Sequence, residues 1–214
     1  MRQFRICFFL LTSFALFLTA CSPPTYLYLT KANASKDCLV KLKPDFSSVL
    51  YNTSVDVAGT HLSGLLLFKK MPDGSIRSVF TNEMGLTIFD FEFFENEFRV
   101  LHCVKKLNRT LVLRALRKDL GLILQAGYNY QKFSVYHYES SLYFAFKDAD
   151  EMTYLITDKD CSSIQRIEIA NGPKVKVKAN FTELKSGLPD SVYIAHQSFQ
   201  FNIGLKQIDR QDAP

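Results

Sequence analysis

Leu86-Thr87-Ile88-Phe89-Asp90-Phe91-Glu92-Phe93-Phe94 decides the fold class. Phe89, Phe91 and Phe93 fall on one side of an extended chain, and Ile88, Asp90 and Glu92 on the other. Successive side chains of a β-strand point to opposite faces, so this period of two marks a strand with one apolar face. Asp90 and Glu92 then read as the solvent side of that strand rather than as a catalytic carboxylate pair. Turn signals bracket it, Asn82-Glu83-Met84-Gly85 before and Glu95-Asn96 after.

The same reading extends in both directions. Phe46 to Val57, His61 to Lys70 and Ser75 to Thr81 are strand-like, with Pro72-Asp73-Gly74 a strong turn, and Glu97 to Val104 follows the phenylalanine strand. Beyond residue 130 come Lys132 to Tyr138, Leu142 to Lys147, Thr153 to Thr157 and Ile164 to Ala170, then Val175 to Phe181, Ser191 to His196 and Phe199 to Ile208. Their connections are short, which favours antiparallel neighbours. One segment breaks the pattern. From Asn108 as N-cap, apolar residues recur at Leu111, Val112, Ala115, Leu116, Leu120 and Ile123, while Arg109, Arg114, Arg117 and Lys118 take other positions. That spacing predicts an amphipathic helix of about four turns ending near Gly127. The chain is thus mainly β: an open antiparallel half-barrel of about eleven strands, with the helix over its concave side. It forms one domain over residues 45–210. Its interior either fills with its own side chains or leaves an apolar cavity.

The N-terminus carries an address. Arg2 and Arg5 precede an apolar run from Ile6 to Leu18, and Leu18-Thr19-Ala20-Cys21 closes it. A basic head, a short apolar stretch and a small residue before the cut make a signal peptide over residues 1–20, too short to span a bilayer. Cleavage before Cys21 matches the bacterial lipobox, so Cys21 is the expected lipidation site and residues 21–44, opening Ser22-Pro23-Pro24, read as a lipidated tether. Two or more acyl chains give stable attachment where one does not. In a bacterium the four Asn-x-Ser/Thr sequons, such as Asn108-Arg109-Thr110, are chance matches. Ser22 rather than aspartate after Cys21, with no acidic run following, points to the outer membrane on its periplasmic side.

Composition narrows the function. The full chain of 214 residues carries a formal charge of +5, which falls to +3 without Arg2 and Arg5. Acids are interspersed with the bases and no basic run carries stacking aromatics, so nucleic acid is not an expected partner. Cys38, Cys103 and Cys161 remain in the exported chain; three cannot all pair, and Cys38 with Cys161 is the favoured disulfide, leaving Cys103 as a buried thiol. No GxSxG elbow, Walker loop or HExxH appears, and His61, His102, His137 and His196 lack metal-ligand spacing. Neither catalysis, a metal nor a cofactor is expected.

Residues 63–93 and the following helix resemble the LolB-like outer-membrane lipoproteins of Gram-negative bacteria. Val79-Phe80-Thr81-Asn82-Glu83-Met84-Gly85-Leu86-Thr87 is similar to that family's strand–loop–strand pattern, and Leu116-Arg117-Lys118-Asp119-Leu120 sits where the family has a Leu-Arg helix. The resemblance implies an open eleven-stranded half-barrel whose helices cap an apolar cavity. It implies a protein that receives acylated lipoproteins from a periplasmic LolA-type carrier and places them in the membrane. Met84 and Gly85 stand at the position of the family's exposed apolar loop, and methionine suits a promiscuous apolar surface. Phe89, Phe91, Phe93, Leu111, Val112, Ala115, Leu116 and Leu120 are the expected cavity lining. The sequence departs from the family in Glu83, where many members have proline, in its lack of tryptophan, and in showing no first helix within residues 22–44. Two alternatives stay open: a lipoprotein that binds lipid or another hydrophobic ligand without transferring it, and a structural envelope lipoprotein.

Overall fold

The computed structural model describes residues 25–57, 59–95, 97–185 and 187–208. The signal peptide and Cys21 lie outside the described residues. Thirteen strands form one sheet: β1 Thr30–Lys31, β2 Ser48–Val57, β3 Thr60–Lys70, β4 Ile76–Asn82, β5 Thr87–Phe94, β6 Glu97–Cys103, β7 Ser134–Tyr138, β8 Ser141–Asp148, β9 Glu151–Asp158, β10 Ile164–Asn171, β11 Lys174–Lys185, β12 Leu188–His196 and β13 Phe201–Gln207. Among the described residues two α-helices accompany them, α1 Lys36–Lys41 and α2 Thr110–Leu124.

Spatial order is β1-β7-β8-β9-β10-β11-β12-β13-β2-β3-β4-β5-β6. Neighbours pair antiparallel throughout, including β13 with β2 (Phe201 opposite Val57) and β1 with β7 (Thr30 opposite His137). The edges β1 and β6 do not meet, so the sheet stays open. This topology explains the place of α2. The chain leaves β6 at one edge and must re-enter at β7, beside the other edge, and α2 makes that crossing over the inner face.

Inner-face residues follow the period of two. Val49, Tyr51 and Val55 on β2, Leu66 and Phe68 on β3, Phe144 and Phe146 on β8, and Phe201, Ile203 and Leu205 on β13 are all buried in one core. Leu116, Leu120, Leu122, Ile123 and Leu124 of α2 join it. The helix ends where Gln125 turns left-handed (φ 50°) and its N–H returns to the Leu122 carbonyl.

Three expectations are corrected. The open antiparallel sheet itself is as expected, with thirteen strands for about eleven; the first correction is that β1, a two-residue strand, lies in the stretch read as tether. That stretch belongs to the domain from residue 25 onward. Thr25–Tyr28 makes a 3-10 turn on the outer face, where Tyr26 stacks on Tyr154 (centroids 4.5 Å apart) and donates a hydrogen bond to Glu168. There it covers a second apolar cluster that includes Tyr143, Ala145, Tyr154, Ile156 and Ala170. The chain then passes to the inner face as α1, capped by the Ser35 hydroxyl accepting from the Asp37 N–H at 3.1 Å. Leu39 is fully buried, Gln125 Nε2 donates to the Leu42 carbonyl at 3.1 Å, and Cys38 is bonded to Cys161 in the β9–β10 turn. A first helix is therefore present, six residues long. The third correction concerns Asp90, which is buried, not solvated. Arg77 bonds it through Nε and Nη2 on that face, and Arg99 pairs with Glu92 at 3.3 Å.

Candidate functional site

Two hollows flank α2 on the inner side of the sheet. One, of about 500 Å³, lies between the first turns of α2 and the adjoining ends of β2, β10, β11 and β13. Its walls are Leu111, Val112 and Ala115 from the helix, with Val57, Ile169, Val177, Phe199 and Phe201 opposite. The helix faces that should close it cannot. Val112 and Ala115 are short, Leu111 is 76% exposed, and full burial begins at Leu116 one turn on. The other hollow, of about 970 Å³, runs along Arg117, Gly121 and Leu122 between the β5–β6 turn and the start of β9. Phe93, Phe146 and Tyr128 form its apolar floor. A third depression, of about 740 Å³, lies on the outer face among Asn52, Thr81, Asn180 and Tyr193, away from α2.

An ion cluster separates the two inner hollows, since Lys118, Glu151 and Ile169 border both. Glu151, the first residue of β9, pairs with Lys118 of α2 and with Lys176 of β11 at 3.4 Å. Burial pushes its carboxyl upward, but the two ammonium groups prevail and hold it below the usual carboxylate value. Arg114, exposed on the same rim, has no ion-pair partner among the described residues.

His196, which lines the 500 Å³ hollow, belongs to a buried polar pair. His196 Nε2 lies 2.9 and 3.0 Å from the two carboxylate oxygens of Asp119, which is fully buried. The ring also packs on Phe199 and Phe201, with centroids 4.6 and 5.0 Å away. Burial raises the Asp119 carboxyl above its ordinary value, partly opposed by His196 and Lys118.

The eight residues expected to line a cavity divide into two groups. Leu111, Val112 and Ala115 do line the 500 Å³ hollow. Leu116 and Leu120 are packed under α2, and Phe89 and Phe91 stack at 4.4 Å within a solid cluster that includes Phe80 and Phe98. Phe93 is buried but borders the larger groove. The interior beneath the phenylalanine strand is filled by side chains, while the vacant space is at the helix flanks. His196, Asp119, Phe199 and the Glu151 cluster complete the site. Asp119 was visible on the apolar stripe itself, four residues after Ala115 and four before Ile123.

Met84 and Gly85 form a projecting turn between β4 and β5. Met84 is 86% exposed, Leu86 is exposed beside it, and Gly85 takes φ 77°. Asn82 holds the turn, its Oδ1 accepting from the N–H of Met84 (3.1 Å) and of Leu86 (2.9 Å), while Ser63 donates to Glu83 at 2.6 Å. By strand register this turn, Val57 and the β12–β13 loop carrying Phe199 share one end of the sheet. Cys103 is a half-buried free thiol whose pKa burial raises. Among the described residues no helix is long and apolar enough to cross a membrane.

No family model matches the chain, and no curated protein matches it in sequence. Among solved structures it is similar to a DUF1329 family protein from Desulfovibrio piger, with a TM-score of 0.49 and 10% identity over 88% of this chain and 92% of that one. It is also similar to a putative outer membrane lipoprotein-sorting protein domain from Vibrio parahaemolyticus, with a TM-score of 0.48 and 6% identity over 81% and 88% of the two chains. For a LolA superfamily protein from Nitrosomonas europaea the TM-score is 0.45, with 10% identity over 83% and 93%.

Proposed function

We propose that this chain is a lipid-anchored receptor of the outer membrane that binds acyl chains beside α2 and passes acylated lipoproteins into the membrane without covalent chemistry. The observation that carries this reading is an apolar hollow of about 500 Å³, open at the end of the sheet where Met84 projects. Its size suits a small hydrophobic ligand, since such sites span roughly 300–1,000 Å³. Each methylene moved from water into the hollow contributes about 0.8 kcal/mol, and moving on into a bilayer keeps that gain. Transfer runs downhill where each successive site, hollow and then bilayer, buries more of the chain than the one before it. Met84 and Leu86 would touch the membrane or cargo, and acylated Cys21 would keep the site at the surface.

The test mixes the full chain, carrying Cys21→Ser to block acylation, with a LolA-type carrier loaded with an acylated lipoprotein. Cargo should move to the chain and then to added vesicles. Met84→Glu should still accept cargo but release it to vesicles several-fold more slowly. No uptake, under conditions where a LolB receptor accepts the same cargo, would overturn the reading.

A further inference from the structure

We infer that the 500 Å³ hollow takes a single-chain amphiphile with an anionic head, of the fatty-acid class, its carboxylate held at the rim by Arg114 and Lys176. This rests on the reading of that hollow as an acyl-chain site and adds the chemistry of the head.

Apart from His196 and Ser198 the wall below the rim is apolar; the charges stand together at its edge. Among the described residues Arg114, Lys118 and Lys176 are the cations there and Glu151 the acid of the rim. Asp119 lies deeper, fully buried and bonded by His196. Glu151 is committed mainly to Lys118, since its second partner, Lys176, stands at 3.4 Å and is exposed. One carboxylate against three cations leaves a surplus of positive charge at the mouth of an apolar slot. A hydrocarbon or an alcohol would leave that surplus unused, and a cationic amphiphile would be repelled by it. A carboxylate on the end of the buried chain would meet Arg114, a guanidinium whose fork suits bidentate contact. The Lys118–Glu151 pair closes the hollow toward the 970 Å³ groove, which limits it to one chain.

Equilibrium dialysis of the full chain carrying Cys21→Ser, with laurate, dodecanol and dodecyltrimethylammonium below their aggregation limits, tests this. Laurate should bind roughly five- to tenfold more tightly than dodecanol, a margin set by two partly exposed ion pairs. Raising the salt to 0.5 M should shrink that margin, because exposed pairs are screened. In Arg114→Gln/Lys176→Gln, laurate should fall to the affinity of dodecanol, whose own binding stays within about twofold. Equal binding of laurate and dodecanol to the unaltered protein overturns the anionic head and spares the acyl-chain site. Preference for the cation does the same. Failure of all three probes to bind overturns both.

Discussion

Replacing His196 by phenylalanine keeps an aromatic ring against Phe199 and Phe201 but takes away the group that bonds Asp119. The carboxylate it leaves is fully buried within α2. Breaking a buried pair by removing one partner costs about 3–5 kcal/mol, because the remaining charge has neither water nor a counter-group. Native Asp119 already has its pKa raised by burial, with His196 opposing the rise, so the variant raises it further. The sign follows from proton counting. Above an unfolded value of about 3.9 the native carboxyl holds a proton that the unfolded one has lost, so stability falls with rising pH by up to about 1.36 kcal/mol per unit until the native group ionises. In the variant that fall extends over a wider range. The loss is therefore expected to be larger at pH 8 than at pH 5. At about 2–4 °C per kcal/mol for a chain of this size, the midpoint at pH 8 should drop by about 6–20 °C. Adding Asp119→Asn should abolish the difference between the two pH values. Thermal unfolding followed by circular dichroism at pH 5 and pH 8 measures this. A loss below about 1 kcal/mol at pH 8, or an equal loss at both values, would refute the account of His196 as the partner of a buried carboxylate.

Other perturbations separate what packs from what binds. The Cys38–Cys161 bond closes a loop of 123 residues, so Cys38→Ser should cost up to about 5 kcal/mol in urea unfolding, and Cys161→Ser should add nothing to it. Leu120→Ala, under the helix, should cost about 2–5 kcal/mol. Leu111→Ala, on the exposed rim of the hollow, should stay within about 0.5 kcal/mol while lowering laurate binding in dialysis. An alanine at Gly64 would place its Cβ 2.0 Å from the Thr81 carbonyl oxygen, so β3 and β4 must part; a loss of about 3 kcal/mol is expected, and a neutral Gly64→Ala would contradict the register.

Local chemistry made some of this legible from sequence. The alternation of Phe89, Phe91 and Phe93 does place three buried rings on one face, and Gly85 does take the left-handed backbone that its turn required. The spacing of Leu116, Leu120 and Ile123 does mark the helix face that packs. The stripe was wrong at its start, since periodicity states which way Leu111 points and not whether the sheet lies within reach there. The short pieces were hidden for a different reason. A six-residue helix offers only Cys38 and Leu39 as buried positions, too few to show a period, and β1 has two residues. Both depend on partners far along the chain: Cys161 for α1, and β7 for β1. The same holds for Asp119, whose partner His196 lies 77 residues on. The expected lining failed only at the phenylalanine strand and at Leu116 and Leu120, because an aromatic face fills its own space, whereas Val112 and Ala115 leave a gap by being small.

The docked N-terminus bears on what the proposed anchor at Cys21 would do. A free tether over residues 21–44 would let the domain wander many tens of ångströms, because an extended chain spans at most about 3.3–3.6 Å per residue. Tyr26, however, is seated on Tyr154 and bonded to Glu168, and the chain is then paired to β7 and bonded through Cys38 to the β9–β10 turn. Only five residue steps separate Cys21 from Tyr26, a reach of at most about 18 Å. For an acylated Cys21 this holds the outer face of β9 and β10 close to the lipid. The domain then meets the membrane within a restricted set of orientations, where a long tether would have left them all open. A receptor that must bring one end of a sheet to a bilayer gains from that restriction, because orientation fixed in advance is conformational freedom that need not be lost at each encounter. On the proposed reading the disulfide and the tyrosine stack would serve position as well as stability, which gives a physical reason for residues 25–44 to lie outside the main hairpins.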